Sequence, residues 1–169
     1  MANLIAITDG YKNEDAVYIV LNYMWSPYCD NDLSYRGNIY SYNPYIVANQ
    51  YMAVQKVFMQ ERGKRICHMV IGFENKEINY DEEVLDVMKL VIDYFKDRFQ
   101  VFAVIHNGSK HRVDEYLHIH ITVNTVSYVD GSRLYDSGEM YYKLKEYLES
   151  CSKYNWALKR KKAKDWPNS

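Results

Sequence analysis

Cysteine is scarce in this chain of 169 residues: Cys29, Cys67 and Cys151 are odd in number and lack metal-ligand spacing. Neither a disulfide framework nor a thiolate metal site is expected, and reduced thiols in a cytoplasmic protein are the simplest reading. No apolar run approaches the length of a membrane span. The first ten residues, MANLIAITDG, have no basic region and too short an apolar run for a secretory signal. An excess of one charge is missing too, since 21 Lys and Arg face 22 Asp and Glu. That disfavours a protein that grips nucleic acid by bulk charge, though not one whose positive charge is gathered in one place. Internal repeats and linkers are also absent. One domain is expected over 1–158, followed by a mobile basic tail over 159–169 that contains Lys159, Arg160, Lys161 and Lys162.

What is present is a globular composition, 48% hydrophobic and 25% charged, with 18 tyrosines. Such rings pack as amphipathic bodies, and they also stack on bases or act as phenol nucleophiles. The pattern predicts a short strand over 3–8 ending at Asp9-Gly10. A helix follows from Asn13 or Asp15 to Met24, with Ala16, Ile19, Val20 and Tyr23 at helical spacing. Residues 28–44 read as a long irregular loop. A second helix starts at Pro44 and stops near Gly63, its stripe formed by Ile46, Val47, Tyr51, Val54, Val57 and Phe58. Strands are expected over 65–73, 99–106 and 116–126, with helices over 80–95 and 138–154 and a short edge strand at Arg133–Tyr135. The first two of those strands, joined through the 80–95 helix, make a β-α-β crossover. The third pairs antiparallel with the second. The fold class is therefore α+β: a mixed, mainly antiparallel sheet with helices on one face.

The chemistry concentrates in Leu117-His118-Ile119-His120-Ile121-Thr122-Val123-Asn124. With a period of two, His118, His120, Thr122 and Asn124 share one face and the apolar residues the other. His106 ends the neighbouring strand and can come level with this pair, giving three neutral imidazoles for one cation with positions left open to bind and polarise a phosphate oxygen. His111, in the loop, and His68, on another strand, are alternative third ligands. Asn124 is a candidate contact to phosphate or metal-bound water, with a bond to nearby backbone as the other reading. A tyrosine nucleophile, whose pKa is ordinarily near 10, requires a base or nearby positive charge. By spacing alone neither Tyr23 nor Tyr28 stands out.

Several segments resemble the relaxase/mobilisation nucleases, the tyrosine type within the HUH endonucleases. Asn22-Tyr23-Met24-x-x-Pro27 resembles the segment with the nucleophilic Tyr, and His68 through Phe73 to Glu77 resembles a His-x-x-x-Ser-Phe-x-x-x-Glu segment with Gly72 in place of Ser. His106 followed by His118-x-His120-x-x-x-Asn124 resembles the metal motif, and Asp130-Gly131 the turn that follows it. The Lys-Thr usual after the first-motif Pro is absent, and the loop between His106 and His118 is longer than typical. The resemblance implies an HUH/ferredoxin-like α/β sandwich with the metal site on the face opposite the helices. It implies a cytoplasmic enzyme that nicks single-stranded DNA at an origin of transfer. Tyr23 would be the nucleophile, Glu77 a base or supporting group, and His106, His118 and His120 the ligands of one Mn²⁺ or Mg²⁺ ion. All-imidazole ligation favours Mn²⁺ over Mg²⁺. It further implies that Asn124 and Lys159–Lys162 contact DNA, that the nick can be rejoined, and that accessory mobilisation proteins assist. Two other readings share these features: an HUH replication initiator, and a non-catalytic module that binds single-stranded DNA.

Overall fold

A computed structural model describes residues 1–25, 29–74, 82–106 and 117–163. Its elements in chain order are β1 (Ala2–Thr8), α1 (Ala16–Met24), β2 (Cys29–Gly37), α2 (Pro44–Val57), β3 (Ile66–Phe73), α3 (Glu82–Phe95), β4 (Val101–His106), β5 (His118–Asn124), α4 (Gly138–Cys151) and β6 (Trp156–Lys162). The strands form one mixed sheet in the order β2-β4-β5-β3-β1-β6. β1 and β6 run parallel, and the other four neighbouring pairs are antiparallel. The class is α+β. β3 and β4 both oppose β5, so they are parallel to each other, and the crossover through α3 is split by β5.

Helices cover both faces of this sheet, which corrects the expectation of helices on one face and the metal site on the other. On one face, α3 and α4 seat Val84, Met88, Val91, Leu144 and Leu148 on Leu4, Met69, Ile119 and Ile121. On the other, α1 and α2 seat Val17, Leu21, Met24, Val47 and Tyr51 on Ile66, Phe102 and Val104. The physical reason is visible in β3 and β4, whose side chains are buried on both faces almost throughout. A strand of that kind needs cover above and below. Burying a side chain such as Leu21 stabilises the α1 contact by about 1.5–3 kcal/mol.

Local chemistry explains where the elements begin and end. Asn43 caps α2, its side chain accepting from the Tyr45 and Ile46 amides with Pro44 at the first helical position. Ser137 caps α4 by accepting from the Met140 amide. Asp15 stands at the N-cap of α1 but makes no side-chain cap bond, because its backbone is already helical. α2 ends at Val57 with Phe58 as its C-cap, before the left-handed Met59 (φ 52°) and well short of Gly63. Two stripes also turned relative to expectation. Ile19, Ile46 and Val57 point outward, while Val17, Leu21 and Ala48 take the inner positions.

Two strands depart from the sequence reading. β2 occupies what reads as loop; it is a polar edge strand pairing with β4 across a bulge, and its residues do not alternate in polarity. β6 includes Lys159–Lys162, expected as the start of a mobile tail, and pairs in register with β1 from Ala2 to Thr8. Arg133 makes only an isolated bridge to Val126 instead of an edge strand. Residues 164–169 lie outside the described residues.

Candidate metal centre and nucleophile

Register brings the imidazoles together. His106, the last residue of β4, stands opposite His118, the first of β5, and His120 stands opposite Val104. All three project toward the face that carries α1 and α2. Their rings lie 5.4 Å (His106–His118), 4.3 Å (His106–His120) and 5.0 Å (His118–His120) apart between centroids. One nitrogen from each ring falls within 4.8 Å of the others, so a single cation can take all three. Among the described residues no other group of three such side chains has this geometry.

Protonation suits a ligand set. Burial pushes His106 down to about 4, with the neighbouring His118 adding to the effect against the opposing bond to Met24. Burial drives His120 well below its ordinary value, helped by His106 and His118. Both rings are therefore neutral at physiological pH and present a lone pair, as metal ligation requires. His106 Nε2 donates to the Met24 carbonyl at 2.6 Å, which leaves the lone pair on Nδ1. His120 Nδ1 is hydrogen-bonded to His68, which leaves its buried Nε2 as the atom to ligate. The residues present thus fit a divalent metal ion.

The bond from His106 to Met24 also ties the C-terminus of α1 to the site, and Tyr23 is carried with it. The Tyr23 ring meets His120 edge-on at 5.5 Å and lies 6.1 Å from His106. Tyr23 is half-buried, and so is reachable from solvent. The tyrosine thus stands beside the three histidines although it comes from the far end of the sequence.

His68 does not join the triad. It lies on β3 opposite Thr122, almost fully buried, and its Nε2 bonds His120 Nδ1 at 3.1 Å. Burial pushes it down to about 3, with Lys64 adding to the effect. Its Nδ1 bonds the Tyr11 hydroxyl at 3.2 Å. By sequence, His68 could be either a ligand or a supporting group. No sequence signal pointed to Tyr11, which enters from the left-handed turn after β1 (φ 57°).

Asn124 departs from its expected DNA-contacting role. It is fully buried, accepts from Gln55 Nε2 at 2.9 Å and from the Val126 amide at 3.2 Å, and donates to Gln100 Oε1 at 2.8 Å and the Tyr51 carbonyl at 3.0 Å. α2 covers this end of β5, so the face that displays histidines at one end is sealed at the other.

The basic run is divided by the pleat. Lys159 and Lys161 pair with Ile5 and Ile7, in the rows that contain Val70–His120 and His68–Thr122, and so share the histidine face. Arg160 and Lys162 alternate onto the α3/α4 side, where Arg160 lies against Gly138. All four are exposed. Tyr28, Glu77 and His111 lie outside the described residues.

Compared with curated proteins and with solved structures, the chain finds no significant match in either set. The nuclease-domain model of the MobA/VirD2-like relaxases matches residues 23–156, from the tyrosine beside the histidines to the first residue of β6. No described helix is long and apolar enough to cross a membrane. On the extent of that match, the chain belongs to the relaxase family, as a nuclease domain of the MobA/VirD2-like kind.

Proposed function

We propose that the protein nicks and rejoins single-stranded DNA at an origin of transfer by tyrosine transesterification, in the mobilisation of a plasmid or integrative element. The observation that carries this reading is the edge-on placement of Tyr23 against His120, with His106 and His118 completing the cluster. The Tyr23 Oη attacks the scissile phosphorus and the bond to the 3′ oxygen breaks. The phenol proton is lost and the departing 3′ oxygen gains one. The products are a 5′-phosphotyrosine and a free 3′-hydroxyl, and the reverse attack rejoins the strand. Glu77, by resemblance, takes the Tyr23 proton.

His106, His118 and His120 would hold one divalent ion, which when bound neutralises charge developing on the phosphate. Three imidazole ligands favour Mn²⁺ over Mg²⁺. The chain's own contribution is to fix the ligands on two paired strands and to anchor the tyrosine through the Met24 carbonyl, which limits the freedom lost on reaching the reactive geometry. On this reading Lys159 and Lys161 contact the backbone of the bound strand, because they share the histidine face. Accessory mobilisation proteins are proposed to deliver the exposed strand.

The test is incubation with Mn²⁺ and a random-sequence library of single-stranded oligonucleotides, followed by denaturing electrophoresis. A denaturant-resistant protein–DNA adduct is expected from the native protein and none from Tyr23→Phe. An adduct that survives Tyr23→Phe would remove Tyr23 as nucleophile. No adduct from the library would favour the non-catalytic binding module.

A further inference from the structure

The triad is backed by a second layer of side chains. His120 meets His68 through Nδ1···Nε2 at 3.1 Å, the two rings stacked at 26°, and His68 meets Tyr11 through Nδ1···Oη at 3.2 Å. Both histidines are essentially inaccessible to water. Tyr11 in turn lies beside Lys64, whose ammonium is 5.7 Å from the ring centroid. Lys64 is held by an ion pair to Asp136 and donates to the Ile7 carbonyl at 2.9 Å.

Proton counting decides what this layer does. A neutral imidazole has one N–H and one lone pair. If His68 donated from Nε2 to His120 Nδ1, the proton of His120 would sit on Nε2, and that atom could not ligate. Ligation through Nε2 requires the reverse: His120 donates from Nδ1 to His68 Nε2, and His68 donates from Nδ1 to the Tyr11 oxygen. Burial raises the Tyr11 pKa, so the group remains a neutral hydroxyl with lone pairs to accept this bond.

We propose that His68, held by Tyr11, is a positioning residue that fixes the tautomer and ring orientation of His120 and so sets the affinity of the site for a divalent metal ion. A carboxylate or carbonyl usually accepts the far N–H of a ligating histidine; here another histidine does so. An imidazole acceptor is uncharged. It therefore adds no negative charge beneath a site that must receive a phosphate. The proposal rests on His106, His118 and His120 being the ligands. It adds that the second layer belongs to the site and is not core packing alone.

The test is direct measurement of Mn²⁺ affinity from the free-ion electron paramagnetic resonance signal, on native protein, His118→Ala, His68→Leu, His68→Gln and Tyr11→Phe. His68→Leu is expected to weaken binding by about 10–100-fold, the loss typical of a missing outer partner. His68→Gln restores an acceptor oxygen near the position of Nε2 and should lie close to native. Tyr11→Phe should fall between them. Affinity in His68→Leu equal to native, or in His68→Gln as weak as in His68→Leu, overturns the proposal. In case His68→Leu fails to fold, ring-nitrogen NMR of the native protein with Zn²⁺ gives a second reading. Protonation of His68 at Nδ1 is expected, and protonation at Nε2 overturns it. Native protein that binds no metal, with His118→Ala unchanged from it, would remove the ligand assignment itself. That outcome is distinct from failure of the outer layer alone.

Discussion

The two halves of β5 present alternating polar side chains to the same face yet serve opposite purposes. At its start, His118 and His120 gather with His106 where one ion can take all three. At its end, the Thr122 carbonyl accepts from the Tyr51 hydroxyl and Asn124 makes four hydrogen bonds beneath α2. The difference lies in what covers each half. α2 reaches across the second half and supplies two of the four partners of Asn124, Gln55 and the Tyr51 carbonyl, while Gln100 and the Val126 amide supply the others. Over the first half it is the end of α1 that arrives, bringing a carbonyl and a tyrosine ring. A buried polar residue that is fully satisfied by protein holds structure. Imidazole nitrogens converging on one point can hold a metal ion.

His118→Ala and Asn124→Ala should therefore separate cleanly. His118→Ala is expected to weaken Mn²⁺ binding by at least about 100-fold, more than the loss of an outer partner would, with stability changed by less than about 1 kcal/mol because the residue is only half-buried. Asn124→Ala leaves Gln55 and Gln100 buried without their partner and should cost about 3 kcal/mol in urea unfolding, with Mn²⁺ affinity of the folded protein unchanged. If Asn124→Ala loses metal and keeps stability, the division of the strand is wrong.

Acid should sharpen the same contrast. His68 and His106, buried and neutral, are pushed down to about 3 and about 4 from 6.5. The unfolded chain therefore binds more protons than the folded one across this window. The sign is that of a depressed pKa: the contribution is complete above about pH 6.5 and is lost as pH falls toward 4 and 3. Urea midpoints of the metal-free protein should drop through this range, and less steeply in His68→Gln.

The smallest effect concerns the lysines of β6. Replacing Lys159 and Lys161 together by Ala should reduce the salt slope of single-stranded DNA binding by about 1.4, at roughly 0.7 for each phosphate that is no longer neutralised. Replacing Arg160 and Lys162 should leave the slope as it was. Equal effects from both pairs would mean that the run acts as bulk charge or as protection of a sheet edge.

Much of this was legible in the sequence. Strict alternation through 117–124 exposes the His face, and period two needs no knowledge of the fold. His106 was legible because a strand end can be aligned with its antiparallel neighbour. α3, with its broad apolar stripe, could be read directly from Glu82 to Phe95, and residues 80–81 of the expected helix lie outside the described residues. What could not be read has a common cause. β2 and β6 are edge strands, and CDNDLSYRG and WALKRKK lack the alternation that a half-buried strand shows. Asn124 has the right parity for the site, and only the position of α2 decides that it is sealed. Tyr11 reaches His68 across 57 residues of sequence from a left-handed turn, a placement that no local pattern encodes.

On the proposed mechanism Tyr23, beside the histidine cluster, is the residue that takes the DNA strand. Peptide mass spectrometry of the covalent adduct formed with Mn²⁺, after nuclease trimming, tests it most directly. A nucleotide mass is expected on the peptide that contains Tyr23, and it should be lost together with the adduct in His118→Ala. The same mass on a peptide with Tyr28 or any other tyrosine, and none on Tyr23, would contradict it.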